Sequence, residues 1–207
     1  MILFGTFFFL LLILLIPLLA VFLFFRLVTI SFTKLGIPSW AVIFIFSLSL
    51  LGSLINIPVW YDTPSSPPTF YFHPPVFTGR IIAINLGGCI IPSILALYLL
   101  RRANIPKTLF STGVVALVCY FIANPIPGVG ITIPFFIPPL VSAGIAMLLT
   151  RGRNAAPVAY ISGVMGTLLG ADLLHIGDLP AVGILSIGGA GVFDGIFLTG
   201  ILAAFLT

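Results

Sequence analysis

Two carboxylates, Asp172 and Asp194, lie in long apolar runs of a chain whose 207 residues include only four acids. A charged carboxylate at the centre of a bilayer costs at least ~2.5–3.5 kcal/mol, so an acid within a membrane span is a candidate functional residue. Both acids stand among glycines, in GTLLGADLLHIGD and SIGGAGVFDGIFLTG. This pair is therefore the first candidate for chemistry in the sequence.

Two carboxylates brought close together could act as an aspartyl-protease dyad. Because neighbouring carboxylates do not both ionise readily, they share a proton, and one can act as a base on water while the other acts as an acid. Three glycines precede Asp194, and each weakens a helix by ~1 kcal/mol relative to Ala. They are Gly188, Gly189 and Gly191. A helix broken there could admit the water that the reaction needs.

The same acids could instead couple the movement of a proton or cation through a small transporter. Discontinuous helices, interruptions by Gly and Pro, and acids near the midplane are typical of such proteins. Residues 124–139 and 186–195 both interrupt apolar runs in this way. Under this interpretation Asn124, at the start of the first interruption, is a candidate ligand for the substrate or ion, together with the three glycines.

His175 follows Asp172 by three residues, so the two side chains would share a helix face. Carboxylate and imidazole ligands suit Zn or Mn, so a third hypothesis is a metal site formed by Asp172, His175 and Asp178 together with Asp194. His175 is also a candidate ligand for a substrate or ion. Gly177 should end the helix before Asp178, and we therefore predict no metal. In the structural alternative, Asp172 is a neutral or paired acid near the outer interface, held by Arg80 or His175.

The composition is that of an integral membrane protein. Hydrophobic residues make up 60% and charged residues 6% of the chain, against roughly 25% charged residues in a soluble domain. The net charge of +4 comes from a few basic residues between apolar runs, so we predict no nucleic-acid partner. No P-loop, dinucleotide-binding, HExxH or GxSxG motif occurs, and we predict no cofactor. The expected partners are the lipid bilayer and either a transmembrane peptide or a small solute or ion.

About 20 apolar residues cross a ~30 Å hydrocarbon core as a helix. On this basis we predict an all-α bundle that forms a single transmembrane domain over residues 1–207 of a multi-pass protein of the cell membrane. Its seven spans are 4–25, 39–60, 81–100, 109–125, 131–150, 156–176 and 182–206. All basic residues except Arg80 fall on one side, so the positive-inside rule places the N-terminus outside and the C-terminus inside. The Pro-rich stretch 61–80, which contains Arg80, is then an external loop.

Around the two acids the sequence resembles an uncharacterised family of archaeal and bacterial polytopic membrane proteins, classed only as a domain of unknown function. The matching motifs are GADLL (170–174) and SIGGAGVFDGIFLTG (186–200). This resemblance implies a multi-spanning membrane fold over most of the chain. It implies no particular activity.

The order and placement of the acids are also similar to those in the presenilin and signal-peptide-peptidase class of intramembrane aspartyl proteases. In that class one Asp lies on a span, and the second follows a GxGD motif at the start of the next span. This likeness implies that Asp172 and Asp194 are the catalytic residues. The sequence departs from the class because two residues separate Gly191 from Asp194 and Ala171 stands where a tyrosine is usual. It also has about seven spans instead of nine and no Pro-Ala-Leu motif.

The depth of the two acids sets a geometric condition on the dyad. Asp172 lies ~4 residues, or ~6 Å, from the outer end of span six. Asp194 would lie ~12 residues, or ~18 Å, into span seven if that span were helical from residue 182. A regular helix would therefore keep the carboxylates apart. The dyad requires either that residues 184–191 form an extended re-entrant segment or that span six penetrates the membrane to a different depth.

Overall fold

The fold is known from a computed structural model that describes residues 2–62, 80–126, 130–178, 183–189 and 195–207. Each of the seven predicted spans contains one α-helix. The helices are α1 (Ile2–Lys34), α2 (Ser39–Gly52), α3 (Ile91–Leu99), α4 (Ile105–Ile122), α5 (Ile137–Thr150), α6 (Ala155–Thr167) and α7 (Gly195–Leu206). Short strands stand between them: β1 (Asn56–Asp62), β2 (Arg80–Asn85), β3 (Asn124–Ile126), β4 (Gly130–Thr132) and β5 (Gly183–Ile187).

Three helical segments are long and apolar enough to cross a membrane, namely Leu11–Lys34, Ile105–Ile122 and Ala155–Asp178. The last of these is α6 continued by a π turn at Leu168–Asp172 and a 3₁₀ turn at Leu173–Asp178. The other helices are shorter. α2, for example, has 14 residues and is ~21 Å long, so the helix alone does not reach across a ~30 Å core.

The prediction of an all-α fold is wrong at one end of five spans. Spans 39–60 and 109–125 end in β1 and β3, whereas spans 81–100, 131–150 and 182–206 begin with β2, β4 and β5. β1 and β3 contain proline, which a helix interior excludes, and β2, β4 and β5 contain isoleucine, whose branched side chain favours strands. Hydrophobicity alone predicted the spans, and hydrophobicity does not distinguish a strand from a helix.

β1, β2 and β5 form one sheet in that order. β1 pairs antiparallel with β2, and β2 pairs parallel with β5, so that Ala83 lies opposite Ser186. Pro58 lies at an irregularity of the edge strand β1, where a residue without an N–H is tolerated. The parallel pairing brings the chain that follows α6 back against the residues that precede α3.

α6 lies at the centre of the bundle, in contact with α3, α4, α5 and α7. Every residue from Ala155 to Val164 is buried. Small residues allow the neighbouring helices to approach closely. A Cβ at Gly166 would lie 2.6 Å from the Cβ of Val115, and one at Gly170 would overlap the backbone oxygen of Ala116. α6 therefore provides a packed support for the acid at its far end.

Candidate functional site

The carboxylate of Asp172 accepts a hydrogen bond from the backbone N–H of Gly188, with 2.9 Å between Asp172 Oδ2 and Gly188 N. Asp172 is the last residue of the π turn that continues α6. Gly188 forms the turn that follows β5. The bond therefore joins the GADLL segment to the glycine-rich segment, the two stretches on which the sequence analysis placed the candidate acids.

Gly188 is required at this position by both conformation and space. Its φ is +71°, a left-handed conformation that costs a residue with a side chain ~1–2 kcal/mol. A Cβ would lie 2.7 Å from the Cβ of Cys89 and 2.9 Å from the carbonyl carbon of Gly88. A Cβ on Gly189 would overlap the hydroxyl of Ser186. In the described part of the glycine-rich segment, the glycines thus allow a tight turn after β5 and close approach to neighbouring segments.

An amide network fixes the surroundings of this segment. Asn85 is fully buried, and its Nδ2 donates to the carbonyl oxygen of Ser53 at 2.7 Å and to Asn56 Oδ1 at 2.9 Å. Its Oδ1 accepts from the N–H of Gly88 at 2.8 Å. The hydroxyl of Ser186 also donates to Asn56 Oδ1. These bonds tie β1, β5 and the π turn that precedes α3 into one unit.

A small polar cavity adjoins the acid. It has a volume of about 30 Å³ and is lined by Asp172, Ile131 and residues 185–189. A cavity can hold a water molecule if it offers ~10–15 Å³ and two or more polar partners. The space beside the Asp172 carboxylate is therefore large enough for water or a small ion, and it is too small for a peptide.

His175 is committed to the backbone of the segment that ends α6. Its Nδ1 lies 3.1 Å from the carbonyl oxygen of Gly170 and 3.0 Å from that of Ala171. Because both partners are acceptors, Nδ1 carries the proton and donates to them. The ring also packs on Tyr120, with 4.8 Å between the ring centroids. Within the described ranges, no group of three His, Cys, Asp or Glu side chains could hold a metal ion.

The remaining predicted residues are placed differently. Asn124 is exposed in β3, where its Nδ2 donates to the carbonyl oxygen of Ile122 at 3.1 Å. It contributes neither to the cavity nor to the hydrogen bonds around Asp172. Asp194 and Gly191 lie outside the described residues, as do residues 63–79 of the predicted external loop and the side chain of Arg80.

Three residues of the amide network, Asn56, Asn85 and Ser186, were not predicted from the sequence. A signal for Asn85 was present, because it is the only polar side chain in the run IIAINLGGCII. A buried polar group needs hydrogen-bond partners, so such an amide marks a point where other chain segments must supply them. Ser186 had no comparable signal, since its partner Asn56 is distant in the sequence.

The comparisons with known proteins bear on this site only through its family. The family model described as "Protein of unknown function (DUF1614)" matches residues 50–206. This range contains β1 to β5, the π turns and both candidate acids. No curated protein and no solved structure matches the chain.

Proposed function

The chain belongs to this DUF1614 family, whose description names no activity, and we propose that it is a multi-pass intramembrane aspartyl protease that uses Asp172 and Asp194. The observation that carries the proposal is the hydrogen bond from Gly188 to Asp172. It places the segment that leads to the second acid directly against the first acid. The condition of an extended segment is met over the described residues 183–187, which form β5 and not the start of a helix.

The register of α6 against α7 supports a common level for the two acids. Val158 and Ala159 cluster with Ala203, whereas Val164 lies beside Gly200, so the helices are antiparallel. Measured from the contact of Val164 with Gly200, Asp172 lies eight residues, or ~12 Å, farther along α6 and the turn that continues it. Gly195 lies five residues, or ~8 Å, from the same contact along α7, toward the same end of the bundle. Asp172 and Gly195, the residue that follows Asp194 in the chain, thus differ by ~4 Å in their position along the helix axes.

A second contact supports the lateral proximity of the acids. A Cβ at Gly195 would lie 3.9 Å from Cδ1 of Ile133. Ile131, two residues earlier, lines the cavity beside Asp172. Because residues of an extended chain are spaced by ~3.3 Å, one short segment touches both the cavity and the start of α7.

The proposed reaction follows from the properties of paired carboxylates. The ionised acid removes a proton from water, and the water oxygen attacks the carbonyl carbon of the scissile peptide bond. The protonated acid donates its proton to the carbonyl oxygen. The acid that took the proton from water then passes it to the amide nitrogen as the C–N bond breaks, while the other carboxylate takes a proton from a hydroxyl of the tetrahedral diol. The products are a carboxylic acid and an amine, and the pair again holds one shared proton. The N–H of Gly188 orients one oxygen of Asp172, and the adjoining cavity provides room for the attacking water.

Transport of a proton or cation is a second candidate that a specific observation favours. The π turn of α6 and the extended β5 are two interruptions of the apolar spans, and they meet at a cavity of water or ion size. Interrupted spans with an acid between them are typical of ion-coupled carriers. Under this alternative, Asp172 binds the ion or carries the proton.

Cleavage of a transmembrane peptide tests the protease proposal. The purified chain, reconstituted in liposomes with a model transmembrane substrate, should cleave it, and both Asp172→Asn and Asp194→Asn should lower the rate at least about 10²-fold. Asp178→Asn is the matched control, since Asp178 is exposed outside the network, and should retain the wild-type rate. Equal cleavage by all variants contradicts the proposal. Absence of cleavage, together with proton or cation uptake that Asp172→Asn abolishes, would establish the carrier instead.

A further inference from the structure

A long apolar groove runs between α2 and α3, away from the site described above. It has a volume of about 460 Å³, which is within the ~300–1,000 Å³ typical of small-molecule sites. Its walls include Pro38, Trp40 and Leu48 from the α2 side and Ile91, Ile94 and Tyr98 from α3. The groove therefore offers an almost purely hydrocarbon surface on one flank of the bundle.

The length of the groove matches one leaflet of a bilayer. Pro38 and Leu48 are ten residues apart along α2, which corresponds to ~15 Å. Half of a ~30 Å hydrocarbon core is the same distance. Trp40 and Tyr98 stand at the end of the groove where α2 begins and α3 ends, and such aromatic residues are typical of the level of the lipid headgroups.

Arg101 and Arg102 follow α3 in the chain, at the same end of the groove as Trp40 and Tyr98. The guanidinium carbon of Arg101 lies 4.3 Å from the ring centroid of Tyr98, which is itself a wall of the groove. Arg102 donates from Nη1 to the carbonyl oxygens of Leu35 and Gly36, both at 3.1 Å. Arg102 is therefore occupied by the protein, whereas Arg101 is exposed and engages only the ring among the residues that the structure describes.

The charged side chains described at this end of the groove, Arg101 and Arg102, are positive. Asn154, which precedes α6, donates to the carbonyl oxygen of Arg102 at 2.6 Å, so the arginine loop adjoins the start of α6. Asp172 and Asp178 lie in the π and 3₁₀ turns that continue the opposite end of α6. An apolar groove of one-leaflet length that ends in an exposed guanidinium is complementary to an anionic phospholipid, and the cytoplasmic leaflet carries such lipids.

We propose that the groove between α2 and α3 binds one anionic phospholipid, with an acyl chain along α2 and the phosphate at Arg101. The lipid would fix the short helix α3, and through it the π turn Leu86–Ile90 against which Gly188 packs. This inference rests on the membrane location in the proposed function and is independent of the protease chemistry.

Fluorescence quenching tests the proposal, because Trp40 lies in the groove and the chain has only one other tryptophan, Trp60. In a Trp60→Phe background, the full chain is reconstituted with increasing fractions of phosphatidylglycerol or phosphatidylcholine brominated on the acyl chains. We expect brominated phosphatidylglycerol to quench Trp40 at a several-fold lower fraction than brominated phosphatidylcholine. Arg101→Gln should abolish this difference, and Arg153→Gln, which changes an exposed arginine of another loop, should retain it.

Other outcomes overturn the proposal. Equal quenching by the two lipids would mean that ordinary boundary lipid fills the groove. Absence of quenching by either lipid would mean that a second copy or another protein covers it. An unchanged preference in Arg101→Gln would remove the proposed phosphate site. None of these results depends on whether the chain cleaves a peptide, so failure of the lipid site and failure of the protease proposal are distinguishable.

Discussion

Gly188 and Asp172 are joined by a hydrogen bond from backbone N–H to carboxylate, and this bond depends on an extended β5. The bond spans 2.9 Å, and the parallel pairing of β5 with β2 leads the chain to it. In a helix from residue 182, the N–H of Gly188 would have bonded the carbonyl oxygen of Ile184 and would not have been free for an acid. The irregular backbone at this point thus gives Asp172 a polar partner at the end of a largely apolar helix.

Removal of the Asp172 carboxylate should have separable effects on stability and activity. In Asp172→Asn the side-chain oxygen can still accept from Gly188, so we expect near wild-type thermal stability in detergent and loss of cleavage. In Asp172→Ala the N–H of Gly188 loses its partner, which should lower the free energy of unfolding by ~1–3 kcal/mol. Circular dichroism melting curves of the three proteins measure the difference. Equal melting of the Asn and Ala variants would show that the bond does not stabilise the fold.

Gly188→Ala should destabilise the protein. The added Cβ would enter a left-handed backbone position and press on Cys89, so we expect a loss of at least ~1–2 kcal/mol in the free energy of unfolding. Gly177→Ala is the matched control because nothing lies within 4 Å of its added Cβ. Its free energy of unfolding should be within ~0.5 kcal/mol of the wild-type value. A neutral Gly188→Ala would contradict the described turn.

Asn85→Ala should be among the most destabilising single changes in the sheet region. It leaves the N–H of Gly88 and the carbonyl of Ser53 without the partners they have now, at ~1–3 kcal/mol for each buried group. Asn124→Ala removes an exposed amide with one local bond, and we expect little change. Comparison of the two unfolding curves checks this. Similar losses in both variants would argue against a special role of the buried network.

Two glycine substitutions should have opposite effects on stability, because one glycine is packed closely against α4 and the other faces open space. In Gly170→Ala the new Cβ would overlap the backbone of Ala116, and α4 would have to move, which should lower the melting temperature. In Gly144→Ala, on α5, nothing lies within 4 Å of the new Cβ, and the better helix propensity should stabilise by up to ~1 kcal/mol. If Gly170→Ala were as stable as wild type, the π turn that continues α6 could not be in the described contact with α4.

The sequence was informative about helices and less informative about what lies between them. Apolar runs of about 20 residues located one helix in each predicted span, because burial in lipid requires sustained hydrophobicity. The same criterion could not detect β5, since Gly183–Ile187 is apolar in either conformation. Its pairing with β2 joins residues far apart in the sequence, and no local pattern encodes such a contact.

The candidate site was also predictable only in part, because a local pattern marks unusual residues and does not encode long-range contacts. Asp172 stood out because acids are rare and costly in this chain, and the glycines because they weaken helices. Asn124 was a candidate because it starts the interruption at 124–139, whereas the structure shows its side chain donating to the nearby carbonyl oxygen of Ile122. Asn85 had greater structural importance because it is buried, and burial follows from tertiary packing.

Chemical cross-linking can determine whether Asp172 and Asp194 share one site. In a Cys89→Ala, Cys119→Ala background, Asp172→Cys is combined with Asp194→Cys and treated with a short bismaleimide in the membrane. Asn56→Cys with Ser186→Cys, at two positions in hydrogen-bond contact, is the positive control, and Asp178→Cys with Asp194→Cys is the comparison pair that contains an acid outside the proposed site. We predict efficient linkage of 172 to 194 and of 56 to 186, with little linkage of 178 to 194. Linkage of 56 to 186 without linkage of 172 to 194 would contradict the shared site.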